Sequence, residues 1–230
     1  MMMLLALILS VAIIVSSGMG YIHISFGTVF KIIWAKIIGW ERTLSGMDPL
    51  LPVIVYDVRM PRILTSAVVG GGLAMAGVVF QGILLNPLAD PYTLGVSAGA
   101  AFGASVAILL NIASLGIFSI PIFAFVGAAA TLGFVVYLAS SGGGMSSSNL
   151  ILSGIIVAAI LSAGISLVKY IADEQVAVII FWLMGSFGSK TWGDLAVVLL
   201  FVSMGMVVFV FFARDLNLMS LGHRSAATLG

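Results

Sequence analysis

The chain has 230 residues, of which 62% are hydrophobic and 7% charged, with a formal net charge of +1. A soluble domain carries roughly 25% charged residues, so this composition cannot supply a water-facing shell and the chain is read as an integral membrane protein. A net charge near zero disfavours nucleic acid as a partner, and the absence of cysteine excludes a disulfide framework or a thiolate site.

A hydrocarbon core of about 30 Å takes about 20 apolar helical residues. In chain order the candidate spans are Leu4–Ile22, Ile63–Leu85, Thr93–Leu110, Ile120–Leu138, Leu150–Val168 and Leu195–Phe212. The runs are continuous, which favours helices over the alternating strands of a barrel. Met1–Val15 lacks a preceding basic residue, so it is read as a retained first span, not a cleaved signal. Between the first two spans, Val29, Ile32, Ile33, Ile37 and Ile38 fall near one helical face, with Lys31 and Lys36 elsewhere and Trp34 and Trp40 suited to a membrane surface. This predicts an interfacial helix, then a polar link ending at Pro52.

Arg59 and Arg62 flank Pro61, a residue suited to a helix's first turn. They share a face there, and the bland reading is that they anchor a span end by snorkelling. The turn Asn86–Pro91 separates the second and third spans, and from Ile63 to Val168 its Asp90 is the one charged residue. Ser140–Asn149 is a polar loop, and Val176–Gly188 is apolar but too short to span, which predicts a half-helix or a re-entrant piece.

Small residues let helices approach closely in lipid. Gly95, Gly99, Gly103 and Ala107 recur every four residues, as do Gly154, Ala158, Ser162 and Ser166, with Gly72 and Ala76 a shorter pair. Gly70–Gly72 reads as a packing feature. Gly185–Thr191 lacks the glycine that a phosphate-binding loop needs before its lysine. His23 and His223 have no partners at ligand spacing, so no metal, cofactor or catalytic group is expected and the chain is not read as an enzyme.

Arg59-Met60-Pro61-Arg62, Gln81, Asn86 to Pro91, and Leu94 to Ala100 resemble the FecCD/BtuC family, the permease subunits of ABC importers for iron-siderophores, haem and vitamin B12. Asn149–Gly154, Trp182–Ser186 with Trp192, and Leu218–Gly230 are weaker matches. The resemblance implies an all-α polytopic bundle with about six of the family's ten helices, a single transmembrane permease domain over 1–230 that stops early, and a cytoplasmic coupling segment at 213–230. It implies a multi-pass protein of a prokaryotic cytoplasmic (inner) membrane, working as a homodimer with a second copy. Its other partners would be an ATP-binding ABC subunit and an extracytoplasmic substrate-binding protein.

By the same resemblance, Arg59 and Arg62 dock the binding protein, and Asn86, Leu88, Ser146, Ser147, Ser148 and Asn149 form the cytoplasmic gate. Leu218, Leu221, Gly222, His223, Arg224, Ala226 and Leu229 contact the ATPase. The cargo would be a metal chelate, with the ATP hydrolysed by the partner. Acidic residues are common in the family where His223 and Arg224 stand. The resemblance also puts residues 23–62 outside, yet that loop holds five basic residues, and the positive-inside rule alone argues the reverse. A secondary transporter driven by an ion gradient is the alternative. It would need an ionisable residue within a span.

Overall fold

A computed structural model describes residues 1–112, 116, 118–141, 146–222 and 228. The described residues are helical with no strand. Among the described residues, four helical runs are long and apolar enough to cross a membrane: Leu50–Leu84, Ser119–Ser141, Ser147–Ile171 and Trp192–Phe211. The chain gathers into two compact units, one of Met1–Gly72 with Ser186–Val210 and the other of Leu73–Gly185 with Phe211–Gly230.

In the first unit, α1 (Met2–Gly18) ends well before Ile22. Here the structure corrects the expected span Leu4–Ile22, because residues from Met19 onward leave the helix and turn back, with Ile24 N–H donating to Gly18 O. Helix α2 (Phe26–Ile38) starts on Ser25, whose hydroxyl accepts from Thr28 N–H, and stops at Gly39 in a left-handed conformation (φ 77°). Its inward face is Val29, Ile32 and Ala35, of which Val29 and Ile32 meet Ile24 and Val55 in a small core. The face expected from sequence is therefore split: Ile37 is exposed on the opposite side with Phe26, Phe30 and Trp34. Phe30 and Trp34 stack there at 5.9 Å.

The link to the next helix is not simply polar, since Leu44, Met47 and Leu51 pack on the same core. Helix α3 (Leu50–Pro52), a π-helical segment (Val53–Arg59) and α4 (Met60–Leu84) form one continuous run of 35 residues. The expected boundary at Ile63 is thus too late. Pro49 and Pro52 sit in the opening turn, where the missing N–H groups would be unpaired anyway. Pro61 is instead deep in the run and fully buried. A proline ring inside a helix crowds the carbonyl four residues earlier and removes one hydrogen bond. The preceding turn is widened accordingly, with Met60 N–H reaching Val55 O five residues back. Near the carboxyl end of this unit, α9 (Trp192–Phe211) begins on a reciprocal cap. Thr191 N–H donates to Asp194 Oδ2 at 2.8 Å, and Asp194 N–H donates to Thr191 Oγ1 at 3.3 Å.

The second unit is built on α5 (Val96–Leu109), α6 (Ser119–Ser141) and α7 (Ser147–Ile171). Helix α5 has 14 residues, fewer than the expected Thr93–Leu110. Thr93 and Leu94 belong to the turn, and Gly95 opens the helix at φ 75°. The nine-residue α8 (Val176–Met184) is the expected half-helix. Its Ile179 packs with Ile108, Val168 and Ala172, at the far ends of α5 and α7. Helix α10 (Ala213–Met219) follows α9 after a break at Phe212.

Candidate functional site

The arginine pair does not present two like groups. Arg62 is half-buried, with no side-chain hydrogen bond or ion pair among the described residues. Arg59 is only 3% exposed and turns inward. Its Nη1 donates to Ser17 O at 2.8 Å and its Nη2 to Ile22 O at 2.6 Å. Both acceptors are backbone carbonyls, one of them in the last turn of α1. Gly20 lies against the guanidinium, and a β-carbon there would stand 2.7 Å from Nη2. Ser17 is fully buried, and its hydroxyl also meets Met60 Sδ at 3.4 Å. Arg59 thus directs its donors into its own chain. No sequence spacing signals this, because the acceptors lie 37 and 42 residues away.

Helix α4 ends in a Schellman arrangement, in which Asn86 N–H reaches Gln81 O at 3.3 Å and Leu85 occupies the left-handed position at φ 51°. Glycine is the usual residue there, and an L side chain pays a steric penalty. Asn86 Oδ1 then accepts from Leu88 N–H at 2.9 Å. Leu88 projects, 87% exposed. Asp90 Oδ1 accepts from Tyr92 N–H, Thr93 N–H and Thr93 Oγ1, all within 2.9 Å. It is thereby committed to holding the turn.

The other expected gate residues are not all in a loop. Ser146 is the N-cap of α7, its hydroxyl accepting from Asn149 N–H, and Ser147, Ser148 and Asn149 form the helix's first turn. The two parts approach through neighbours. A β-carbon at Gly154 would lie 2.5 Å from Thr93 O and 2.8 Å from Leu94 Cα. The residues directly after the Asn86–Asp90 turn thus pack two helical turns into α7.

The glycine stripe of α5 meets α6 backbone to backbone. A β-carbon at Gly99 would fall on Thr131 Oγ1 and 2.6 Å from Gly127 O, and one at Gly103 would fall on Phe123 O. A β-carbon at Gly95 would stand 3.2 Å from Gly154 O and 3.6 Å from the Ala158 Cβ, and one at Gly164 would stand 2.9 Å from the Phe102 ring. Gly127 and Thr131 complete this contact, and sequence reading missed both, although Ala124, Gly127, Ala128 and Thr131 stand at helical spacing in α6. Of the triple glycine, only Gly72 has a close neighbour: a β-carbon there would stand 3.0 Å from Val202 of α9. Gly70 and Gly71 have nothing within 4 Å. Ala76 is half-buried. Between α5, α6 and α7 lies an open apolar cleft of about 430 Å³, lined by Phe102, Phe123, Phe134, Ile160 and Thr131 among others.

In the expected coupling segment, Leu218 and Gly222 are half-buried and Leu221 is exposed. Ser220 approaches Gly82 of α4, its Cβ 3.9 Å from where a β-carbon would stand. His223, Arg224, Ala226 and Leu229 lie outside the described residues.

Residues 7–230 match the model of the FecCD transport family. The chain is 36% identical over 225 residues to the uncharacterized ABC transporter permease protein YvrB of Bacillus subtilis, covering 96% of this chain and 63% of the relative. It is 36% identical to the molybdate import system permease protein MolB of Haemophilus influenzae, covering 98% and 65%. The chain thus spans less than two thirds of these relatives. A solved inward-facing structure of a metal-chelate type ABC transporter superposes with a TM-score of 0.79 at 32% identity, covering 98% of this chain and 66% of that one.

Proposed function

The chain belongs to the FecCD transport family, and from this premise we propose that it is the membrane-spanning permease of a binding-protein-dependent ABC importer for a chelated metal. It sits in the cytoplasmic membrane and pairs with a second copy. A separate ATPase drives it and an extracytoplasmic binding protein delivers the cargo. Arg62 belongs to the docking end. The Asn86–Asp90 turn and the first turn of α7 form the gate, and the segment from Ala213 onward meets the ATPase. The metal-chelate transporter's similarity supports the substrate class, and the molybdate permease makes an oxyanion the second reading.

The observation that carries the mechanism is the state of Asp90. An ion-coupled transporter places a titratable group within its spans. From Ile63 to Val168 the chain offers only Asp90, and that carboxylate is engaged by three donors of its own turn; the spanning runs add Asp57 near the start of the first and Asp194 in the capping turn of the last. The engagement of Asp90 supports the reading that a separate ATPase supplies the energy. The apolar walls of the α5–α6–α7 cleft offer a bulky ligand no charged group to hold it.

The test is uptake into proteoliposomes holding the full-length protein with its ATPase, using ferric-siderophore and molybdate as cargoes. Uptake of ferric-siderophore is expected only with ATP and the binding protein. Accumulation under an imposed proton or sodium gradient without ATP would overturn the mechanism. ATP-driven uptake of molybdate alone would overturn the substrate class.

A further inference from the structure

We propose that the cleft between α5, α6 and α7 is a seat for one hydrocarbon chain of a membrane lipid, which fills it as a fixed part of the folded protein. The inference does not rest on the cargo assigned above. The cleft lies wholly within the second compact unit.

The cleft is a by-product of the close crossing. Gly99, Gly103 and Gly127 bring α5 against α6 backbone to backbone, and the same three glycines line the cleft. With no side chain there, the groove has a low floor. Phenyl rings supply the walls: Phe102 on α5, with Phe123 and Phe134 on α6. Phe102 is fenced in from α7, because a β-carbon at Gly164 would stand 2.9 Å from its ring. Ile160 of α7 and Phe134 of α6 line the cleft and are exposed, so its mouth opens sideways between these two helices.

Chemistry, depth and size each select a hydrocarbon chain. No charged residue lines the cleft, and its one polar side chain, Thr131, is 7% exposed with its hydroxyl set against Gly99. Apolar cavities of this kind do not hold water. Along α6 the lining runs from Phe123 to Phe134, about 16 Å at the helical rise of about 1.5 Å per residue. Both ends fall well inside the helix Ser119–Ser141, so the cleft lies at the depth of the lipid tails. Its length is about half of a 30 Å hydrocarbon core, the reach of one leaflet. A dry cavity of about 150 Å³ takes the six carbons of benzene, so about 430 Å³ takes roughly 17 carbons, the size of one acyl chain. A groove between helices packed about 8–10 Å apart suits such a chain and not a wrapped metal chelate. Burial of apolar surface does not hold the tail, which exchanges one apolar medium for another. Dispersion contacts with the three rings do, and an empty groove would forfeit them.

The experiment uses the full-length protein with its ATPase in nanodiscs of phosphatidylethanolamine and phosphatidylglycerol, with photoreactive benzoylphenylalanine in place of Phe134. After illumination the adduct is identified by mass spectrometry, and a phospholipid joined through an acyl carbon is expected. The same group in place of Val136, which is exposed on α6 and lies off the cleft, reports ordinary lipid contact. Ala130→Phe places a ring in the cleft from its rim. It is expected to cut the lipid adduct at Phe134 by about fivefold or more, because a packed groove has no room for a second occupant, and to leave the adduct at Val136 unchanged. Ile160→Phe fills the cleft from α7 and serves if the first variant does not assemble. Lipid adducts at Phe134 that are equal with and without the filling rings would mean ordinary bilayer contact and would overturn the proposal.

The other occupants are read from the same adduct. A crosslink from Phe134 to a second copy of the chain would make the cleft a subunit interface and sink the proposal. An adduct with ferric-siderophore, formed while the binding protein delivers it, would make the cleft part of the cargo path, with the same consequence. So would the absence of any adduct at Phe134 while Val136 still captures lipid. Failure of ferric-siderophore uptake with the lipid adduct intact would reject the substrate class and leave the lipid seat standing.

Discussion

The clasp at Arg59 and the crossing of α5 over α6 solve one problem by opposite means. At Arg59, a single side chain spans the gap and directional hydrogen bonds do the fastening. At Gly99, Gly103 and Gly127 there is no side chain to speak of, and backbones touch directly. In lipid, burial of apolar surface cannot hold two helices together, because the tails are as apolar as the side chains. What remains is close packing or hydrogen bonding, and each has its own failure mode. A packed crossing fails when an atom is added. A clasp fails when donors are removed.

The largest expected effect comes from adding atoms at the crossing. Gly99→Val or Gly127→Val would place β-carbons onto backbone and a buried hydroxyl, for which neither helix has a rotamer to change. Overpacking of well-packed interiors costs about 1–3 kcal/mol even where side chains can yield, and here the backbones themselves must part. Loss of monodisperse protein on size exclusion in detergent is expected. A well-behaved Gly127→Val protein with unchanged Tm would mean that α5 and α6 do not cross this closely.

Removing the clasp should rank second. Arg59→Met keeps apolar bulk and deletes the donors, so Ser17 O and Ile22 O lose their partners at a cost of about 2 kcal/mol. A clear fall in Tm is expected, with expression retained. A Tm equal to wild type would place those carbonyls in water. Gly164→Ala sharpens the comparison from the packed side. Its β-carbon would sit 2.9 Å from the Phe102 ring, but a ring can rotate, so about 1 kcal/mol is expected. An effect as severe as that at Gly127 would show that Phe102 is locked.

The smallest effect should have the opposite sign. Leu85 holds a left-handed conformation at φ 51°, where glycine avoids a penalty of about 1–2 kcal/mol. Glycine also loses more freedom on folding, and half-exposed Leu85 gives up some contact. Leu85→Gly should therefore raise Tm slightly, by the equivalent of about 0.5 kcal/mol. If it lowers Tm, the end of α4 adopts another conformation in the assembled protein.

Most of the secondary structure can be read from composition and periodicity. The apolar runs, the half-helix over Val176–Met184 and the polar interruption at Asn86–Pro91 follow from where charges, prolines and glycines stand. Boundaries were less legible where a cap or turn intervened. Helix α1 stops at Gly18, α5 starts at Val96, and the long run begins at Leu50, ahead of two prolines that had suggested a link and a helix start. The face of α2 was misassigned because apolar residues occupy both sides of it. Val29 and Ile32 go inward and Ile37 stays outside, and hydrophobicity alone cannot separate a core face from one that meets lipid.

The sequence by itself determined that this protein is an all-helical membrane bundle, because scarce charge and unbroken apolar runs leave no other solution. It also marked Gly99 and Gly154 as points of close approach, since a four-residue period defines a helix face. It did not determine what those faces touch. Gly127, Thr131 and Thr93 are the partners only because the tertiary structure crosses those segments there. Nor did it distinguish Arg59 from Arg62. Two arginines in one motif are chemically identical as letters. Only the folded chain, by winding a π turn before Pro61 and bringing Ser17 and Ile22 within reach, satisfies one guanidinium inside and leaves the other without such bonds.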